Sequence, residues 1–93
     1  MGQMGLTEHA RVRMQQRGIP TNVLEHLHRF GRTIHDHRGA QILTFDHGSR
    51  KRMQRELGQD RYRRLEKHIH AYAVIDTDGT VITVGHRFRR VHH

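Results

Sequence analysis

Apolar residues are scarce in this chain, and their scarcity limits the folds that it can adopt. They make up 33% of the 93 residues, which is low for a globular domain but more than a disordered tail contains. A chain of this length has room for only one hydrophobic core, so we predict a single domain over residues 1–93. The core is expected to be thin, with helices on one face of a sheet. Its stability should be modest without a partner or a homodimer interface.

The cysteine content and the hydropathy pattern bound the class of protein. No cysteine is present, which excludes a disulfide scaffold and a thiolate zinc site and is typical of a reducing compartment. No apolar run approaches the roughly 20 residues of a membrane helix, and no secretory signal follows the N-terminus. We therefore expect a cytoplasmic protein without a membrane partner.

Arginine gives the chain a strong positive charge. The 17 lysines and arginines outnumber the 9 acidic residues, for a net charge of +8, and 15 of the 17 are arginine. A guanidinium binds phosphate through two parallel hydrogen bonds, so this composition indicates RNA or another nucleic acid as the partner. A GC-rich genome also favours arginine over lysine codons, but such a bias leaves the net charge unexplained.

The positive charge is concentrated in the middle and at the C-terminal end of the chain. Residues 50–67 contain eight cationic and three acidic side chains, a net charge of +5. We interpret this segment as a surface that follows a phosphate backbone, with a solvated helix face as the simpler alternative. The predicted nucleic-acid-binding residues are Arg17, Arg50, Arg52, Arg55, Arg63, Arg87 and Arg89. With three phenylalanines and two tyrosines in the chain, recognition of backbone and shape is expected rather than base stacking.

Glycine and capping residues divide the chain into short elements with helical or strand periodicity. The predicted elements are helices over residues 7–17 and 22–30, strands over 32–37 and 40–46, helices over 49–57 and 60–67, and strands over 71–76 and 80–87. Thr7 is a suitable N-cap and Gly18 a suitable C-terminal glycine for the first helix, and Arg38-Gly39 and Thr77-Asp78-Gly79 are predicted turns. The expected fold class is α+β. Two N-terminal helices would pack on a four-stranded, mainly antiparallel sheet, with an extra basic helical segment between strands 2 and 3.

Two motifs at the ends of the chain resemble a known family. The first, HA-x-x-RM-x-x-RGI, spans residues 9–19, and the second, DTDGTVITV, spans residues 76–84. Through them the chain resembles a small bacterial family known as a domain of unknown function (DUF4258), whose fold is similar to that of RelE-like and barnase-like toxin ribonucleases. The resemblance implies a metal-independent endoribonuclease of the toxin type, or a relative without activity, and an acidic antitoxin protein as partner. The basic segment at residues 49–67 departs from the family pattern and resembles an insertion.

Three residues of the first helix are candidates for RNA cleavage. His9, Arg13 and Arg17 recur every four residues and so share one side of the helix. Cleavage without a metal requires a base for the 2′-hydroxyl, an acid for the leaving oxygen and cations on the phosphate. His9 would transfer a proton, and the two arginines would hold the phosphate. The alternative is that His9 is a polar residue of the first turn and that the arginines cover apolar surface.

The last strand supplies a second candidate for proton transfer. Its alternation places Ile82, Val84, His86 and Phe88 on the core face, and Val81, Thr83, Gly85 and Arg87 on the other face. His86 would approach the first helix near the end of the sheet, or be a hydrogen-bonded histidine at the rim. The predicted catalytic residues are His9, Arg13 and His86.

The eleven histidines do not form a recognisable metal motif. His35-x-His37 and His68-x-His70 have the spacing of one strand face, but no HExxH motif, cysteine or nearby carboxylate accompanies them. We predict no metal site and no cofactor.

Three functions fit the sequence. The first is a small RNA-interacting protein that cleaves RNA without a metal. The second is a non-catalytic nucleic-acid-binding or protein-interaction domain. The third is a structural domain whose charge reflects codon bias alone.

Overall fold

The computed structural model describes residues 5–35 and 39–87 and has an α+β architecture. Its helices are α1 (Glu8–Arg17), α2 (Thr21–Phe30) and α3 (His47–Leu65), and a short 3-10 turn follows at Glu66–His68. Its strands are β1 (Arg32–His35), β2 (Gln41–Thr44), β3 (Ala71–Ile75) and β4 (Val81–His86). The strands form one antiparallel sheet in the order β1-β2-β3-β4. The predicted α+β class and four-stranded antiparallel sheet are therefore confirmed, whereas the predicted arrangement of the helices on the sheet is only partly matched, because the long helix α3 follows β2. The predicted turn at Arg38-Gly39 lies partly outside the described residues.

Helix α1 begins and ends at the capping residues that the sequence indicates. The Thr7 side chain accepts a hydrogen bond of 3.0 Å from the backbone N–H of Ala10. At the other end, Gly18 adopts the left-handed conformation (φ 63°), which glycine enters without steric cost. The N–H of Ile19 then donates to the Met14 carbonyl at 2.9 Å. These caps satisfy backbone groups that a free helix end leaves without partners.

The N-terminal segment and α1 run alongside β4 in the same direction. Leu6 forms a parallel bridge with Val81, and the N–H of Thr7 donates to the Val81 carbonyl at 3.1 Å. At the end of α1, the Arg17 guanidinium donates to the Val84 carbonyl at 3.1 Å. The start of α1 therefore lies beside the start of β4, and Arg17 lies near the end of that strand.

One face of the sheet carries the hydrophobic core. Leu43, Ala73 and Val84 lie opposite one another on β2, β3 and β4, and all three are buried. Helix α2 packs on this face and against α3. Its buried side chains are Val23, Leu24, Leu27 and Phe30.

A bulge in β4 changes the alternation that the sequence predicts. The pairing register shifts between Val74 and Ile75, so that Val81 rather than Ile82 lies opposite Ile75. Val81 is fully buried and Ile82 is half-buried, because the extra residue of a bulge displaces the side chains before it. The predicted faces of Val81 and Ile82 are therefore wrong. Beyond the bulge the alternation holds, and His86 lies opposite the buried Ala71.

Helix α3 follows β2 and is part of the core rather than an insertion on its surface. Asp46 caps it by accepting from the Ser49 N–H at 2.8 Å, so the helix begins two residues before the predicted start. Gly58 (φ 83°, ψ 166°) interrupts it at the predicted boundary between two helices. Met53 and Leu65, on either side of this kink, are both buried. Neither α3 nor any other helix in the described part of the chain is long and apolar enough to cross a membrane.

Candidate functional site

Two histidines are in contact at the end of the sheet. The rings of His68 and His86 stack with centroids 5.6 Å apart and planes 16° apart. Nδ1 of His68 lies 3.4 Å from Nε2 of His86, so one ring can donate a hydrogen bond to the other. His68, in the 3-10 turn after α3, is 7% exposed, and His86 is half-buried. The contact holds both imidazoles in fixed positions at the surface end of the core.

The surroundings favour the neutral form of both rings. Burial lowers the pKa of His86 below its usual 6.5, and the positive charges of Arg17 and His70 lower it further. Burial also lowers the pKa of His68, with smaller effects from His86 and Lys67. At pH 7 both imidazoles are therefore neutral, and each can accept a proton.

Arg17 is held against β4 next to this histidine pair. Its guanidinium donates to the Val84 carbonyl and lies over the backbone of Gly85. A β-carbon at position 85 would collide with this guanidinium and would lie 2.9 Å from the Tyr72 hydroxyl, so glycine makes the approach feasible. The Arg17 side chain remains exposed. The result is a positioned cation that a ligand can reach, close enough to lower the pKa of His86.

A basic pocket continues the site toward β1 and α3. It has a volume of about 900 Å³, and its polar lining includes Arg32, Arg50, His70 and Arg87. The only carboxylate among its lining residues within the described ranges is Asp46, which caps α3 and pairs with Arg32 at 3.6 Å. The buried Nε atom of Arg50 has no hydrogen-bond partner within the described residues. The pocket therefore combines three guanidiniums with one carboxylate and suits an anionic ligand.

The backbone joins this pocket to the histidine pair. The N–H of Arg87 donates to the His70 carbonyl at 2.7 Å, which extends the pairing of β3 and β4 by one step. Arg87 follows His86 directly, and His70 is close enough to His86 to lower its pKa. We call the set of Arg17, His68, His70, His86 and Arg87 the sheet-end cluster.

The structure does not bring His9 to His86. Nε of Arg13 donates to Nε2 of His9 at 3.3 Å, so these two side chains pair with each other on the surface of α1. Residues 9 and 17 are separated by about 12 Å along a helix, and it is residue 17 that lies near the end of β4. The catalytic roles of His9 and Arg13 stay predictions, at a place separate from the sheet-end cluster.

The arginines predicted to bind nucleic acid occupy different environments. Arg52 donates to the Phe30 carbonyl at 2.8 Å and so satisfies a backbone group at the end of α2. Arg55 and Arg63 are exposed on α3. Arg89 lies outside the described residues. Arg17 and Arg87 belong to the sheet-end cluster, and Arg50 lines the pocket beside it.

The sequence analysis does not identify His68 and His70 as members of this site. The spacing of the two histidines suggests only metal ligands, and no group of three or more potential ligands comes together within residues 5–35 and 39–87. A signal was present in the predicted hairpin, because an antiparallel pair centred on residues 77–79 places the residues before 71 near residue 86. Counting that register would have placed the His68-x-His70 pair beside His86.

Most cations of the described surface have no acidic partner. Across residues 5–35 and 39–87 only two ion pairs form, Arg29–Glu56 at 2.9 Å and Arg32–Asp46 at 3.6 Å. Most of the positive charge of the described residues is therefore not paired with a carboxylate of the same residues, and this surface is suited to an anionic partner.

Comparison with known proteins gives one match. A family model described as "Domain of unknown function (DUF4258)" matches residues 6–86, a range that contains every helix and strand of the structure, α3 included. No curated protein and no solved structure matches the chain.

Proposed function

This chain belongs to the DUF4258 family, a family of unknown function, and we propose that it binds RNA and cleaves it without a metal ion. The observation that carries the proposal is the contact between His68 and His86, together with the hydrogen bond that holds the exposed Arg17 guanidinium at the Val84 carbonyl, two residues before His86. A neutral imidazole supplies a base and a positioned cation supplies charge for the phosphate, which are two of the three groups that phosphodiester cleavage requires.

The proposed binding mode follows the positive charge from Arg17 to the basic pocket. Arg17 would hold the scissile phosphate, and Arg87 and Arg50 would hold neighbouring phosphates of the strand. Tyr72 is half-buried, and both its ring and the Arg17 guanidinium lie close to Gly85. A surface with so little aromatic area favours recognition of the backbone over recognition of bases.

The proposed reaction uses two histidines in different roles. His86 accepts the proton of the 2′-hydroxyl, and the 2′ oxygen forms a bond to phosphorus. The bond from phosphorus to the 5′ oxygen breaks, and His70 donates a proton to that oxygen. The products are a 2′,3′-cyclic phosphate and a 5′-hydroxyl. The division of roles is supported by the surroundings of the two rings, because burial lowers the pKa of His86 and so favours the neutral form that a base requires, whereas His70 is exposed and so accessible to the leaving group.

His68 would act through His86 rather than on the substrate. It is nearly buried, and its Nδ1 faces the His86 ring. A hydrogen bond from or to this ring fixes the orientation and tautomer of His86. His68 is therefore proposed as a positioning residue, in the way that a second group orients a catalytic base.

The test is cleavage of a labelled RNA oligonucleotide in the presence of EDTA. We expect the wild-type protein to cleave it and His86→Ala to lose at least about 100-fold in rate, the usual contribution of general acid–base catalysis. His28→Ala, which removes an exposed histidine of α2, is the matched control and should keep the wild-type rate. RNA binding without cleavage by the wild-type protein would support a non-catalytic binding domain instead.

A further inference from the structure

A second concave surface lies between the first and third helices, apart from the basic pocket. It has a volume of about 1010 Å³ and is bounded by α1, the turn from α1 to α2, and the part of α3 after Gly58. We call it the helix groove. Its lining is both cationic and apolar, unlike that of the basic pocket.

The rim of the helix groove is positively charged. Arg11, Arg61, Arg64 and Lys67 line it, together with the single carboxylate of Glu8 among its described lining residues. All four cations are exposed, and none forms an ion pair within residues 5–35 and 39–87. Four cations against one anion attract a negatively charged occupant.

The floor of the helix groove is apolar. Val12 is 39% exposed, one of two large apolar side chains exposed within the described ranges. Met14 and Leu57 are half-buried beside it and also line the groove. An exposed apolar strip inside a charged rim is typical of a protein interaction site.

The lining favours a protein segment over a nucleic acid. A phosphate backbone would leave Val12 and Leu57 facing charged oxygens. The described lining contains no phenylalanine, tyrosine or tryptophan on which a base could stack. An amphipathic peptide with carboxylates on its edges and aliphatic side chains between them complements both parts of the groove.

We propose that the helix groove binds an acidic, amphipathic segment of a partner protein. The aliphatic side chains of the segment cover Val12 and Leu57, and its carboxylates pair with the cations of the rim. His68 is also part of the groove lining and touches His86, so a bound segment would lie against the histidine pair. Binding at the groove is independent of the proposed RNA cleavage, and only its effect on the sheet-end cluster rests on that function.

The test uses a fluorescein-labelled synthetic peptide of leucine and glutamate with helical apolar spacing. We expect it to bind, as measured by fluorescence anisotropy, and the same peptide with glutamine in place of glutamate to bind at least about 10-fold more weakly. Amide NMR shifts should map to the residues of the helix groove.

Variants of the protein locate the site. The double substitution Arg61→Glu and Arg64→Glu should weaken binding of the acidic peptide at least about 10-fold, and Val12→Ser should weaken it several-fold. The matched control is Lys51→Glu with Arg55→Glu, which makes the same charge change on exposed positions of α3 outside the groove and should change binding less than about 3-fold. Circular dichroism checks that each variant is folded.

Three results would overturn this proposal. They are equal binding of the glutamate and glutamine peptides, equal loss in the groove and control variants, and NMR shifts confined to the basic pocket. A loss of RNA binding in the groove variants greater than in the control would show that the groove holds nucleic acid instead. Loss of cleavage in His86→Ala with intact peptide binding would leave this proposal standing, so the two hypotheses fail separately.

Discussion

His68 and His86 lie where the hydrophobic core meets the surface of the protein. Each ring is removed from water on one side by the core, and each contacts the other through ring nitrogens 3.4 Å apart. Burial disfavours the charged form of an imidazole, which is the main reason that both pKa values are lowered. The same burial that costs stability in acid supplies a neutral base at pH 7.

We predict that acid destabilises the protein through these two histidines. A histidine with a lower pKa in the folded chain binds fewer protons than in the unfolded chain, so the free energy of unfolding falls as the pH is lowered from about 6.5 through the folded pKa. The slope should be at most about 1.4 kcal/mol per pH unit for each proton. Urea unfolding between pH 7 and pH 5 measures it.

Replacing one histidine of the pair identifies the source of this pH dependence. His86→Gln should reduce the slope, and His28→Gln, at an exposed position of α2, should leave it unchanged. The pKa of Asp46 and of Asp78 is also lowered, mainly by hydrogen bonds from Ser49 and Thr80. Their contribution is lost only as the pH falls below about 3.8 through their folded pKa values, outside this range. Equal slopes in both variants would rule out the histidine pair as the cause.

We predict that Arg17→Ala raises the pKa of His86. Removing a positive charge near an imidazole favours its protonated form, and Arg17 is the largest charge effect on this ring. Arg13→Ala is the matched control and should leave the His86 pKa unchanged, because Arg13 lies one turn before Arg17 in α1 and pairs with His9. An NMR titration of the His86 ring gives both values. If Arg13→Ala shifted the His86 pKa and Arg17→Ala did not, the placement of His86 beside Arg17 would be wrong.

At the scale of elements, the caps and turns were predictable from local sequence. Thr7 and Gly18 bound α1 because a hydroxyl at the N-cap and a glycine at the C-terminus satisfy backbone groups locally. The bulge at Ile82, between the pairs Ile75–Val81 and Val74–Thr83, could not be predicted from local sequence, because it depends on the pairing of β4 with β3. The direction of α1 relative to β4 could not be predicted from local sequence either, since it depends on the bridge between Leu6 and Val81. That direction brings Arg17 rather than His9 to the sheet-end cluster.

Gly58 gives a prediction for α3. Its backbone angles, φ 83° and ψ 166°, fall in a region that is essentially restricted to glycine. We expect Gly58→Ala to lower the free energy of unfolding by about 1–3 kcal/mol. Gly48 lies in the first turn of the same helix, where an added β-carbon would lie 3.6 Å from Oδ1 of Asp46 and 3.7 Å from the Arg52 guanidinium. Gly48→Ala should therefore be neutral or stabilising by up to about 1 kcal/mol. Urea unfolding of both variants provides the comparison, and equal effects would contradict a strained kink at Gly58.

For the whole molecule, the uncompensated charge would govern the proposed association with RNA. Only two ion pairs form within residues 5–35 and 39–87, while the chain carries a net charge of +8. The excess of arginine over acidic residues could be read from composition, and so could the class of partner that it indicates. The division of this charge between the basic pocket and the helix groove, whose lining is both cationic and apolar, could not be predicted from composition. It depends on how α3 packs beside α1.

We predict a salt-dependent affinity for single-stranded RNA. Three phosphate contacts, from Arg17, Arg50 and Arg87, correspond to a slope of about −2 in a plot of log K against log salt. Arg87→Ala should make this slope shallower by about 0.7, whereas Lys51→Ala, on an exposed part of α3 outside the basic pocket, should leave it nearly unchanged. Fluorescence anisotropy over a salt series measures both. An affinity that does not change with salt would contradict phosphate recognition.

The chemistry of the cleaved ends tests the account most directly. An RNA oligonucleotide would be incubated with the wild-type protein in EDTA, and the products would be identified by mass spectrometry. Attack by the 2′-oxygen with His86 as base predicts 2′,3′-cyclic phosphate and 5′-hydroxyl ends, and no reaction when the ribose at the cleavage site lacks its 2′-hydroxyl. Products with 3′-hydroxyl and 5′-phosphate ends, or an RNA that stays intact while bound, would contradict it.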